Sequence, residues 1–144
     1  MRETYFHQLG AFALDEIVPV DVTNNPPWWL KGEHKRRMIR HAELAPRRQL
    51  LEEFIAQRTA RKRQGYSDVA AHNQAFEDVD YRARFDAQIA GDATAMAALH
   101  ELSQADEAQE VVLVCYCGPG KACHRYLLLE LAARHFGANV DPSP

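Results

Sequence analysis

The sequence predicts an α/β fold: a single small layered domain, with a short, mostly parallel sheet and flanking helices. Three observations carry this expectation. Ile17-Val-Pro-Val-Asp-Val22 is short, β-branched and followed by turn residues, as a buried strand would be. Val111-Val-Leu-Val114 is a continuous apolar run, the signature of a central parallel strand covered on both faces. Between the two lie some ninety residues with helical spacing and no repeat, and helices packed on a sheet account for that order.

Each element has its own justification. A further strand is expected near Thr4 to His7. After Val22, Thr23-Asn-Asn-Pro-Pro27 is irregular, because Pro26 and Pro27 fit neither a helix interior nor a ladder. Trp28 and Trp29 follow and are expected to cap the core. Leu44-Ala-Pro-Arg is expected to start a helix, with Pro46 in its first turn and Leu50, Leu51, Phe54 and Ile55 as its apolar stripe. Arg58, Arg61, Lys62 and Arg63 crowd its C-terminal end, and Gly65 stops it. Ser67 or Asp68 caps a second helix with Val69, His72 and Phe76, and helical pattern continues over Tyr81 to Ile89. Asp92 caps a helix holding Met96, Leu99 and Leu102. The last helix runs from Tyr126 to Phe136 and stops at Gly137, and residues 139–144 read as a loose tail.

A chain of 144 residues with 47% hydrophobic and 26% charged residues is an ordinary globular composition. No apolar run approaches the length of a membrane span, and Met1-Arg-Glu-Thr-Tyr-Phe-His is not a secretory signal. Three clustered cysteines form no disulfide framework, so a reducing, cytoplasmic location is expected. From Lys31 to Arg63 there are eleven Lys/Arg against four Asp/Glu, and from Tyr66 to Glu110 two against ten. The simplest account is two helical regions of opposite charge facing each other. The sharper one is a basic 31–63 surface for nucleotide or nucleic acid.

Function concentrates in Cys115-Tyr-Cys-Gly-Pro-Gly-Lys-Ala-Cys-His-Arg125. A strand ending in reactive side chains and opening onto a helix N-terminus is a common site in α/β proteins. In a thiol reading, Cys123 is the nucleophile. The helix N-terminus, Lys121, His124 and Arg125 would favour its thiolate, and Cys117 would be a resolving partner. Cys115 is read as a core residue. In an anion-binding reading, Gly118 and Gly120 admit a ligand to the backbone while Lys121 and Arg125 supply charge. The segment matches neither a phosphate-binding loop nor the Cys-to-Arg spacing of cysteine phosphatases. No metal or other cofactor is expected: there is no C-x-x-C pair, and neighbours such as Cys123 and His124 rarely bind one ion. The other histidines, His72 among them, read as surface residues. Asp21 is either the head of an Asx turn or a carboxylate acting as base or orienting His124 or Arg125.

These landmarks together resemble the domain-of-unknown-function 488 family. The likeness rests on Val20-Asp21-Val22 with Pro26, Pro27 and Trp28, on Leu44-Ala45-Pro46 with Leu50 and Leu51, and on Leu113-Val114-Cys115 followed by Cys123-His124-Arg125. Two positions depart from it: Thr23 stands where members often have arginine, and Cys117 where they often have an acidic residue. The resemblance implies an α/β fold with a shared site near Asp21 and Cys123-His124-Arg125, and no known reaction. The expected function is therefore an anionic-ligand or catalytic site at the sheet edge, thiol-dependent in its sharper form. The alternative is a non-catalytic nucleotide- or nucleic-acid-binding module.

Overall fold

Val111–Val114 present no polar side chain, so the strand they form has to be covered on both sides. In the computed structural model, which describes residues 1–141, they belong to β4 (Glu110–Cys115) at the centre of a four-stranded sheet. β1 (Arg2–Tyr5) lies on one side of β4 and β2 (Ile17–Asp21) on the other, with β3 (Ile39–Arg40) beyond β2. Every pairing is parallel, and register sets Tyr5 opposite Cys115 and Asp21 opposite Val114. The ends of β1, β2 and β4 thus share one carboxyl edge.

Alternation along β4 divides the core. Val111, Leu113 and Cys115 join a large cluster with Val20, Phe54, Phe85, Leu99 and Leu127. Val112 and Val114 join a smaller one with Phe6, Leu9, Ile17 and Leu30. The large layer is built by α2 (Arg48–Arg63), α3 (Asp68–Asp78), α4 (Tyr81–Ala90), α5 (Ala93–Ala105) and α6 (His124–Phe136). The small layer holds a 3-10 turn over Phe6–Ala11, and α1 (Gly32–Arg37) follows in the chain. Ser67 caps α3 by accepting from the Ala70 N–H, and Asp92 caps α5 by accepting from Thr94 and Ala95. Gly137, at φ 66°, ends α6.

Several elements differ from expectation for local reasons. Leu44 ends a 3-10 turn (Ala42–Leu44), and α2 starts only at Arg48. Ala45 precedes a proline and is held extended (φ −80°, ψ 155°), which keeps the helix from starting there. The helical pattern around Asp80 breaks in two, because Asp80 adopts φ 51° between α3 and α4. α1 and the two-residue β3 were not anticipated: α1 buries none of its residues, and two residues carry no periodicity. Trp28 does not cap the core but is 88% exposed; Trp29 packs against the small cluster instead. Within residues 139–141, the Met1 ammonium donates to the Asn139 carbonyl (2.6 Å), and Asp141 N–H to the Met1 carbonyl (3.0 Å). Residues 142–144 lie outside the described part. Among the described residues no helix is long and apolar enough to cross a membrane.

The two oppositely charged regions do face each other. Arg61 makes a two-pronged pair with Asp78 (2.7 and 2.8 Å), and Lys62 pairs with Asp68. Within the basic region, Arg36 and Arg37 pair with Glu33, and Arg48 with Glu52.

The least expected core member is Arg125, which is 1% exposed. Its Nε donates to Glu3 of β1, its Nη1 to the Cys117 carbonyl (2.6 Å), and its Nη2 to the Tyr126 hydroxyl (3.2 Å). Burial alone would lower its pKa, but Cys123 and Glu3 outweigh that and raise it, so it stays charged. Removing the partner of a buried charge is costly. Glu3→Ala is expected to lower the unfolding free energy by about 3 kcal/mol, read from urea unfolding. A loss no larger than that of an exposed surface pair would show that Arg125 is not held this way.

Candidate active site

The carboxyl edge of the sheet opens into a cavity of about 360 Å³ on the side of the large layer. Cys115, Cys117, Cys123 and His124 form one side of it, and Phe54, Phe76 and Tyr81 are its aromatic wall. Thr23, Asn24 and Asn25, from the loop after β2, line it as well. Arg58 and His72 reach it from α2 and α3.

Each side chain is there for a local reason. Cys115 is the last residue of β4 and shares the face of Val111 and Leu113. The turn from Gly118 to Ala122 is fastened to α3. Asn73 donates to the Gly120 carbonyl (2.9 Å) and accepts from the Ala122 N–H (2.9 Å), and Lys121 pairs with Asp68 (2.5 Å). Gly120 sits at φ 76°, which a side chain would resist. The chain then meets α6 at Cys123, whose extended backbone (φ −154°, ψ 147°) precedes the first helical residue, His124.

That sharp change of conformation brings two neighbouring side chains together. The His124 Nδ1 lies 3.7 Å from the Cys123 Sγ. The His124 Nε2 lies 2.8 Å from the Val22 carbonyl, so Nε2 carries the proton and Nδ1 has a bare lone pair. Burial lowers the His124 pKa to about 4, so the ring is neutral at neutral pH. His72 repeats the arrangement. Its Nε2 lies 2.7 Å from the Ala122 carbonyl, and its buried Nδ1 has no hydrogen-bond partner among the described residues. Burial lowers the pKa of His72 as well.

The thiols are not activated in the way the sequence suggests. Burial pushes the Cys123 thiol up, and the nearby Arg125 guanidinium does not reverse that. The hydrogen bond with Cys117, with burial behind it, pushes the Cys115 thiol up to about 12. For Cys117 the bond with Cys115 works downward, yet Cys123 and burial carry it up to about 12. Helix N-terminus and basic neighbours were expected to favour a thiolate; the low-dielectric surroundings of Cys123, 3% exposed, win instead.

The residues expected at the site divide into two groups. Cys117, Cys123 and His124 meet in the cavity; Asp21, Gly118, Gly120, Lys121 and Arg125 do not line it. Asp21 takes the face opposite Val20 and Val22, and its Oδ1 accepts from the Thr23 N–H (2.9 Å) and hydroxyl (2.6 Å). It therefore orients neither His124, which bonds Val22, nor Arg125, which pairs with Glu3. Lys121 is engaged by Asp68, and Arg125 by Glu3. The metal expectation changes too: Cys115, Cys123 and His124 bring their donor atoms within 4.8 Å of one another. Cys115, read as plain core, is thus part of the site. His72, read as surface, is 2% exposed at the cavity. Its sequence signal was the spacing to Phe76, one turn further along the same helix face. Nothing in the local sequence marks Arg58 or Tyr81.

A thiol with a raised pKa reacts slowly until the pH climbs towards that pKa. Iodoacetamide labelling of the reduced protein in a chelator is expected to be slow at neutral pH and to accelerate steadily towards pH 12, with Cys117 first as the least buried. Rapid labelling of Cys123 at pH 7 in folded protein would contradict this.

No curated protein and no solved structure matches the chain. A family model does: that of the "Active DUF488-N3 subclade", over residues 12–135. The match runs from before β2 to the last turn of α6 and so includes every residue that lines the cavity. With most of its length matched, the chain belongs to the DUF488 family.

Proposed function

We propose that the cavity is the active site of an enzyme acting on a small anionic molecule, with Arg58 holding the anionic group and the thiol–imidazole floor doing the chemistry. The carrying observation is the cavity itself. Its volume of about 360 Å³ lies in the range of small-ligand sites, with aromatic and aliphatic walls and a few convergent polar groups.

The division of labour follows from each group's surroundings. Arg58 lies over the Phe54 ring (5.5 Å) and has no carboxylate partner among the described residues, so its charge is available to a ligand. Phe54, with Phe76 stacked on Tyr81 (4.3 Å), offers flat apolar surface to the ligand body. The bare Nδ1 of His72 suits a ligand N–H or O–H. Cys123 and Cys117 supply sulfur, and the Nδ1 of His124, 3.7 Å from the Cys123 Sγ, adds a nitrogen lone pair at the same end of the cavity. Arg125 acts on the ligand indirectly, as a fixed positive charge 3.9 Å from the Cys123 Sγ.

Paired alkylating reagents test this reading. Iodoacetate carries the charge that Arg58 would attract, and iodoacetamide does not. The ratio of their rates at Cys117 is expected to fall several-fold in Arg58→Ala, with the iodoacetamide rate little changed. An unchanged ratio would remove Arg58 as the anion holder, and with it the anionic substrate.

A second reading is favoured by one observation. Trp28 is 88% exposed and Tyr116, which also lines the cavity, is 50% exposed. An exposed tryptophan three residues before Lys31 in the chain suits the stacking of a nucleic-acid base. On that reading a single-stranded oligonucleotide quenches Trp28 fluorescence, binds less tightly as salt rises, and loses about 1–3 kcal/mol in Trp28→Ala. Absence of binding at low salt would dispose of it.

A further inference from the structure

We propose that Cys115, Cys123 and His124 form a soft-metal site of the zinc class at the floor of the cavity, with its fourth position facing the cavity beside Cys117. The inference rests on the reading of the cavity as an active site and supplies the means by which its sulfur floor would act.

The geometry is that of a preformed site. The two sulfur atoms and the imidazole nitrogen lie within 4.8 Å of one another, and Cys123 Sγ is 3.7 Å from His124 Nδ1. Zinc bonds of about 2.3 Å to sulfur and about 2.0 Å to nitrogen, at tetrahedral angles, separate donor atoms by roughly 3.5–3.8 Å. A small closure of the triangle therefore accommodates the ion. Thiolate and imidazole together select borderline-soft cations over magnesium or calcium.

The surroundings are those of a metal ligand set. The imidazole must present a lone pair, and the bond from Nε2–H to the Val22 carbonyl leaves Nδ1 bare and aims it at Cys123. Arg125 donates to the Cys123 sulfur (3.9 Å), and such a bond from outside the ligand set orients the thiolate. It also fixes the Cys117 carbonyl (2.6 Å) and so positions that residue beside the triangle. Cys117 stands beside the other two thiols, which influence its titration, and is less buried than either. All four residues line the open cavity, so an ion has a path in and a ligand has a path to the ion. On binding, Cys115 and Cys123 each form a metal–sulfur bond and release one proton to solvent. His124 releases none. No electron is transferred.

The experiment is titration of the reduced, metal-free full chain with cobalt(II), a spectroscopic stand-in for zinc. One equivalent is expected to give sulfur-to-metal charge transfer and the intense visible bands of tetrahedral cobalt, and one equivalent of zinc to bleach both. Cys123→Ser and His124→Gln are each expected to weaken binding at least tenfold, as loss of a ligand should. Should those variants fail to fold, X-ray absorption of the wild-type zinc protein decides: at least two sulfur neighbours are expected. A first shell of nitrogen and oxygen alone, or no charge-transfer band, overturns the site. Metal affinity and the iodoacetate ratio are independent readouts. Cobalt binding with an unchanged ratio keeps the metal site and rejects the anionic substrate. A ratio that falls as expected, without cobalt binding, does the reverse.

Discussion

One buried cation organises this molecule. Arg125 belongs to α6, Glu3 to β1, and the Cys117 carbonyl to the turn after β4, and the guanidinium is bonded to all three. An arginine has several donors in a rigid plane, so it can fix several elements at once with defined angles, which a lysine cannot. Desolvating the guanidinium is expensive, and the expense is recovered only if every partner is in place. The outer strand, the start of the last helix and the turn after β4 are therefore tied together at one point. The same group sits 3.9 Å from the Cys123 sulfur, so the charge that secures the fold also sets the potential at the site.

A second constraint lies with the two buried imidazoles. His72 and His124 come from different helices, yet each gives its Nε2 proton to a loop carbonyl, at Ala122 and Val22. Those carbonyls belong to residues just after β2 and just before α6, outside strand and helix. The histidines satisfy these groups and at the same time lock their own rotation and tautomer. In each ring only Nδ1 remains free. Scaffold and reactivity are one arrangement, because the bond that holds the loop is the bond that defines the lone pair.

Much of the fold was legible because it depends on periodicity. Val111–Val114 could only be a covered strand, and Ser67, Asp92 and Gly137 marked helix ends by chemistry that operates within a few residues. Failures arose where distant partners decide. Arg125 reads as an anion-binding cation at a helix start until Glu3, more than a hundred positions away, is brought beside it. His72 looks like one of several scattered histidines until Ala122 meets it. Trp28 looks like core, and only the packing of Trp29 against Phe6 and His7 shows which of the pair was drawn inward. Of the two readings of Asp21 the Asx turn is the one formed, its Oδ1 accepting from the Thr23 N–H, and strand alternation turns the carboxylate away from the face of Val20 and Val22.

That alternation bears directly on the site. With Cys115 facing the large layer, Asp21 must serve the other face, and a carboxylate is thereby kept out of the sulfur cluster. The groups left at the floor are thiols and neutral imidazole, with a guanidinium behind them. Such a set has no anion of its own at neutral pH, but it has soft donors and a compensating positive charge. It is poorly suited to abstracting protons as a carboxylate would. On the functions proposed for the cavity, its ligand is something that draws electron density from sulfur and nitrogen together, whether an electrophilic substrate atom or a soft cation. Cys117 stands where the two alternatives meet, beside the buried thiols and lining the cavity with them.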